Sequence, residues 1–221
     1  MKGIEKRILY HLLLHCNEIS SISLSQGRIG ILLALATYAK QRQLVPILET
    51  SIEILSQYLQ HVPLNSPLTM AHGLSGIGWG LEYLSQKEIL SINTLDACEA
   101  IDHQLMAYNL SQASDYNIEH GAGGLLLYVL SHIQGNKLQQ PFSQQFLEHL
   151  LSVTEQWPKD IPPKLQVLRQ TFHDFMDGHS YHLEMSLTDF IHTNEQEKID
   201  WNNLSLENGL AGRLVKHYCN I

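Results

Sequence analysis

Charge is sparse in this chain, and basic charge sparser still. Of 221 residues only 16% are Asp, Glu, Lys or Arg, and 14 cations face 22 anions, a formal net charge of −8. No basic cluster extends beyond Lys6-Arg7, so the electrostatic footprint of a nucleic-acid binder is missing. Long apolar runs are missing as well: nothing approaches the ~20 uninterrupted apolar residues of a membrane span. Cysteine is confined to Cys16, Cys98 and Cys219, odd in number, far apart and never in a C-x-x-C pair, which reads as reduced, mostly buried thiols rather than a disulfide framework. No G-x-S-x-G, phosphate loop, dinucleotide fingerprint or H-E-x-x-H is present. The basic start followed by Ile8-Leu9-Tyr10 imitates a signal peptide, but Glu5, His11 and His15 interrupt it and no small-residue cleavage site follows. The segment therefore reads as a first outer helix and the protein as cytoplasmic.

What the chain does have is apolar content, 44%, ample for one large core, and 13 histidines, which leave its net charge sensitive to mild acid. It also has a repeat. An apolar residue, two further residues and G-x-x-G opening an apolar run occur at Leu24 with Gly27 and Gly30, at Met70 with Gly73 and Gly76, at Ile118 with Gly121 and Gly124, and at Leu206 with Gly209 and Gly212. First glycines lie 46, 48 and 88 residues apart, the last interval being two steps of 44. A fixed period of roughly 20–50 residues marks a repeat architecture.

Each apolar run after the second glycine is nearly continuous and helix-long, the form of a helix buried on most sides. Between the runs lie one-faced segments: 45–59, with Ile47, Leu48, Ile52, Ile54, Leu55 and Leu59; 92–110, with Leu95, Ala97, Ile101, Leu105 and Met106; and 142–157, with Phe146, Leu147, Leu150, Leu151 and Val153. All-apolar helices alternating with one-faced helices are the sequence form of inner and outer layers. The expected fold is all-α, an α/α toroid-type repeat of helical hairpins and an incomplete ring, in a single domain over 1–221. Segment 158–200 is irregular: 165–175 is helix-like and 177–180 a turn, in a slot where a repeat is due but G-x-x-G is absent. It is either a degenerate repeat or an insertion.

The residue before each first glycine is polar: Gln26, His72, His120 and Asn208. Equivalent positions of repeated hairpins face equivalent surroundings, so these four, with Glu119 and Glu207 beside them, are expected to line a binding cavity at one end of the repeat. The same residues are alternatively helix caps, and the two roles are compatible. His72 and His120 with Glu119 or Glu207 have the chemistry of a nitrogen/oxygen zinc site if they converge. His179, His182 and Glu184 form a second polar cluster, read more simply as a solvated loop. Arg28 and Arg213, at the motifs, offer positive charge to an acidic peptide or serve surface solvation.

The motifs at 72–81, 26–30, 120–124 and 208–212 together resemble the lanthionine synthetase C-like (LanC-like) family. That resemblance implies a toroid of seven helical hairpins. In the fuller bacterial enzymes it also implies a central zinc and the addition of a precursor-peptide cysteine to dehydrated Ser or Thr, as in lantibiotic biosynthesis. The family's zinc ligands come from Trp-Cys-x-Gly and Cys-His-Gly segments; here Ala71 and Glu119 stand where the cysteines belong, so no zinc is expected. The reading that follows is a divergent, metal-free protein of peptide modification, leaning away from enzyme activity, with a precursor peptide or modification enzyme as partner. The other reading is an active cyclase, or another enzyme, with His72 and His120 as acid and base or metal ligands. Because few hairpins are available, the apolar flanks at 8–14 and 210–218 are expected to be bare and to support self-association or a partner.

Overall fold

In the computed structural model, residues 3–60, 62–110, 115–193 and 198–219 are described. The described residues form α-helices and short 3-10 turns, with no strand among them. The helices are α1 (Gly3–His15), α2 (Arg28–Gln41), α3 (Val45–Leu59), α4 (Leu74–Gln86), α5 (Thr94–Ala107), α6 (Ala122–Gly135), α7 (Gln144–Glu155), α8 (Pro163–Met176) and α9 (Leu210–Tyr218). Each motif thus opens a helix. Its first glycine is the residue before α2, α4, α6 and α9, and its second lies in the first turn.

The two kinds of helix are realised. Ile29 to Ala39 of α2, Leu74 to Leu84 of α4 and Ala122 to Ile133 of α6 are buried without a break. On α7 only Phe146, Leu147, Leu150, Val153 and Thr154 are buried, the one-faced stripe expected of an outer helix. Local signals set the starts. Pro46 and Pro163 sit in the first turns of α3 and α8, where a missing N–H costs nothing, and the Ser143 hydroxyl accepts from Phe146 N at 3.3 Å to cap α7. The buried face of α5 is rotated from its expected one. Ala97 is exposed, and Cys98, Ile101, Asp102 and Leu105 face inward.

Contacts group the chain into two compact units. The first comprises Met1–Pro63, Gln86–Ser91 and Ser186–Ile221; the second comprises Leu64–Ser85 and Ile92–Met185. In the first, α2 packs against α3 and α9, and α9 also packs against α1. Of the flanks expected to be bare, the one at 210–218 is largely covered and the one at 8–14 only in part, since Leu14 stays 73% exposed. Ile8, Leu9 and Leu12 of α1 are covered, and Leu210 to Val215 of α9 are buried as a block, because the two terminal helices bury each other's apolar faces. In the second unit α6 packs against α8. Segment 158–200 supplies α8, the exposed turn at Gly178 (φ +84°) and a 3-10 turn over Leu187–Phe190.

Candidate functional site

The motif loops are built alike. In all four repeats the residue after the first glycine donates its N–H to the carbonyl six residues before that glycine: Arg28 to Ser21 (2.9 Å), Leu74 to Pro67 (2.8 Å), Ala122 to Asp115 (2.7 Å) and Leu210 to Asn203 (2.9 Å). In three repeats the residue at that carbonyl also bonds forward through its side chain: Ser21 Oγ, Asp115 Oδ1 and Asn203 Oδ1 accept from the N–H of Ser23, Asn117 and Ser205. Three repeats then fix the polar residue itself. The N–H groups of His72, His120 and Asn208 are held by Thr69 Oγ1, Asn117 Oδ1 and Ser205 Oγ. These are the side chains whose short polar arms favour such local turns.

Three of the second glycines are needed for closeness. A Cβ at Gly30, Gly124 or Gly212 would strike the carbonyl of Leu24, Ile118 or Leu206 in its own loop, and at Gly30 and Gly124 it would also fall 2.8 Å from Leu206 Cβ and 2.7 Å from Met70 Cβ of a neighbouring loop. Neighbouring loops are joined by one repeated hydrogen bond: Ala71 N to Glu119 O (2.8 Å) in the second unit, Glu207 N to Ser25 O (3.1 Å) in the first. His192 N donates to Glu207 O in the same way (2.7 Å), and Ile191 Cγ2 lies 3.0 Å from a Cβ placed at Gly212. Residues 191 and 192 thus take the place of a motif loop without its glycines.

This framework gathers the polar residues into two clusters. In the second unit the rings of His72 and His120 stack at 5.3 Å, with Glu119 Oε2 3.8 Å from His120 Nε2. In the first, Glu207 accepts from Gln26 Nε2 at 3.2 Å and from Asn208 Nδ2 at 3.1 Å, and His192 Nδ1 lies 3.8 Å away. His192 was not singled out in the sequence, because no glycine marks its loop. Gln26, His72, His120 and Asn208 are all exposed, and Glu119 and Glu207 half-buried. For Gln26, His120 and Asn208 the capping role is not theirs: Gly27, Gly121 and Gly209 occupy the cap positions of α2, α6 and α9, with no side-chain cap.

The other sequence candidates lie elsewhere. His179, His182 and Glu184 are exposed on an irregular stretch. Arg28 stacks on Tyr58 at 4.1 Å and donates to Asn17 O at 3.0 Å. Arg213 is buried in α9 rather than solvated. The three thiols lie outside the motif loops, and burial raises all of them, Cys219 to about 12, so none is a ready nucleophile.

A second polar group in the same unit escaped the sequence reading. His132 of α6, with no solvent exposure, bonds Glu82 through Nδ1 at 2.6 Å and Asp102 through Nε2 at 3.0 Å. Tyr128 donates to Asp102 at 2.6 Å, and Asn136 to Glu82 at 3.1 Å. Burial opposes the imidazolium, but the two carboxylates outweigh it and hold His132 up at about 9. The group ties α4, α5 and α6 together, and its His132, Glu82, Asp102 and Tyr128 are buried, which makes it structural.

The model of the lanthionine synthetase C-like protein family matches residues 18–182. The chain belongs to that family. No curated protein and no solved structure gives a significant match. Membership brings a peptide-modification-related role at the level of the family and accords with the all-helical architecture. The donors of the family's zinc site do not fit here: Ala71 has no donor atom, Glu119 supplies oxygen for sulfur, and the thiols are buried elsewhere. Among the described residues no group of three or more His, Cys, Asp or Glu is placed to hold a metal. No described helix is long and apolar enough to cross a membrane.

Proposed function

We propose that this LanC-like chain serves the maturation of thioether peptides by binding a peptide at its motif loops, not by zinc-dependent ring closure. The observation that carries the reading is the stacked His72–His120 pair: two exposed imidazoles on backbones whose N–H groups are held by Thr69 Oγ1 and Asn117 Oδ1, with Glu119 3.8 Å from His120. Such a pair offers ring faces and hydrogen-bond donors to a peptide backbone or hydroxyl side chain, and the Gln26–Glu207–Asn208 cluster offers amides and a carboxylate. The test is fluorescence anisotropy with a labelled synthetic peptide rich in Ser, Thr and Cys. His72→Ala with His120→Ala is expected to weaken binding by roughly tenfold. Unchanged affinity in that variant, or no binding by the parent protein, contradicts the proposal.

The second reading, acid–base catalysis by the same histidines, draws on Glu119, whose carboxylate near His120 can orient the ring. Incubation with a peptide carrying both dehydroalanine and cysteine, read by thiol titration, decides between them. Loss of free thiol that requires His72 and His120 selects the enzyme; persistence of the thiol beside intact binding selects the binder.

A further inference from the structure

Helix α1 carries two stripes. Glu5, Ile8, Leu9 and Leu12 face the core, whereas Gly3, Arg7, Tyr10 and Leu14 recur at spacings of four, three and four residues on another face. With Lys6, His11 and Trp201 of the loop before α9, that second stripe lines a cleft of about 520 Å³. The exposure there is large for apolar side chains: Tyr10 is 46% and Leu14 73% accessible, with Ile4 at 43% on the margin.

The cleft is preformed. His11 Nε2 donates to Trp201 O at 2.8 Å, its ring meets the indole edge-on at 5.4 Å, and the Arg7 guanidinium lies 4.7 Å over the indole. Lys6 reaches over Tyr10 at 5.7 Å, and neither Lys6 nor Arg7 has a carboxylate partner among the described residues. In a protein of net charge −8, this face therefore concentrates positive charge around apolar and aromatic surface. A guanidinium stacked on a ring keeps its edge N–H groups for a carboxylate.

We infer that the α1–Trp201 cleft is a docking site for an acidic amphipathic peptide segment, its apolar side chains seated between Tyr10, Leu14 and Trp201 and its carboxylates on Lys6 and Arg7. The charge complementarity selects that occupant over a basic one, and the helical spacing of the stripe matches a segment with apolar residues every three to four positions. The site shares none of its lining residues with the two polar clusters of the motif loops and does not depend on the role proposed for them.

Trp201 supplies the readout, because the other two tryptophans, Trp79 and Trp157, are 1% and 7% exposed. The probes are a synthetic peptide with Leu and Phe at helical spacing and Glu between them, and its lysine-for-glutamate analogue. The glutamate peptide is expected to shift Trp201 emission saturably, and the lysine analogue to bind at least about tenfold more weakly. Added salt is expected to weaken the complex. Arg7→Glu and, at a position mostly exposed to solvent, Leu14→Asp are each expected to reduce affinity by roughly tenfold. His72→Ala with His120→Ala is expected to leave this binding unchanged, so the cleft and the motif loops fail separately. The inference is overturned if the glutamate peptide gives no saturable shift, if both peptides bind equally, or if phosphatidylglycerol vesicles produce the shift and the peptide does not.

Discussion

His132 is a buried histidine whose charged form two carboxylates favour. Its two ring nitrogens face Glu82 and Asp102, and Tyr128, Asn136 and Cys98 complete the surroundings. With a folded value of about 9, above the ordinary 6.5, the imidazolium contributes stability that is fully present below pH 6.5 and is lost as pH rises through 9. The contribution is on the order of 3 kcal/mol. His132→Gln removes the cation from between two buried carboxylates, and breaking a buried pair in that way costs about 3–5 kcal/mol. Urea midpoints measured from pH 6 to pH 10 should fall steeply for the parent protein and stay flatter for the variant. Parallel profiles would show that His132 is neutral in the folded chain.

At the scale of the element, the second glycine of a motif is where two loops and a helix start converge. A side chain at Gly124 would press on the Ile118 carbonyl and Met70, neither of which is a flexible tip, whereas Gly178 has open space around it and asks only for its positive φ. Gly124→Leu is expected to destabilise by about 1–3 kcal/mol or more, and Gly178→Ala by about 1 kcal/mol. Thermal melts that rank the two variants the other way would refute the packing account. The helices were legible in the letters because apolar periodicity reports helical spacing: 45–59 corresponds to α3, although of its expected apolar face only Leu55 is fully buried, and 165–175 falls within α8. The inward face of α5 was not, since Asp102 reads as a solvent-facing residue until His132, thirty residues later, supplies its partner. The loop code was present but unrecognised. Ser23, Thr69, Asn117 and Ser205 all stand four residues before a first glycine, yet a short polar residue in a loop looks ordinary without its hydrogen bonds. Residues 191 and 192 stayed hidden for the opposite reason: they keep the loop's backbone pairing and have none of its letters.

Within the first unit, the chain's two terminal segments complete one another. Helix α9 contributes six consecutive buried residues, Leu210 to Val215, against α1 and α2, and Lys216 Nζ donates to Thr193 O at 2.7 Å. Fully burying a Leu or Val side chain is worth about 1.5–3 kcal/mol, so Leu210, Leu214 and Val215 together rival the whole stability of an ordinary domain. Removing α9 therefore uncovers the faces of α1 and α2 as well as deleting nine helical residues. A chain ending at Asn208 is expected to lose considerably more helical circular dichroism than those nine residues account for, and the emission of Trp201, packed on α1 through Arg7 and His11, is expected to move to the red. Leu214→Asp, which keeps the full length, should produce the same two changes in weaker form by placing an unpaired charge among buried apolar groups. If α9 were only an appendage, the truncated chain would lose helix in proportion to its missing residues and Trp201 would emit as before.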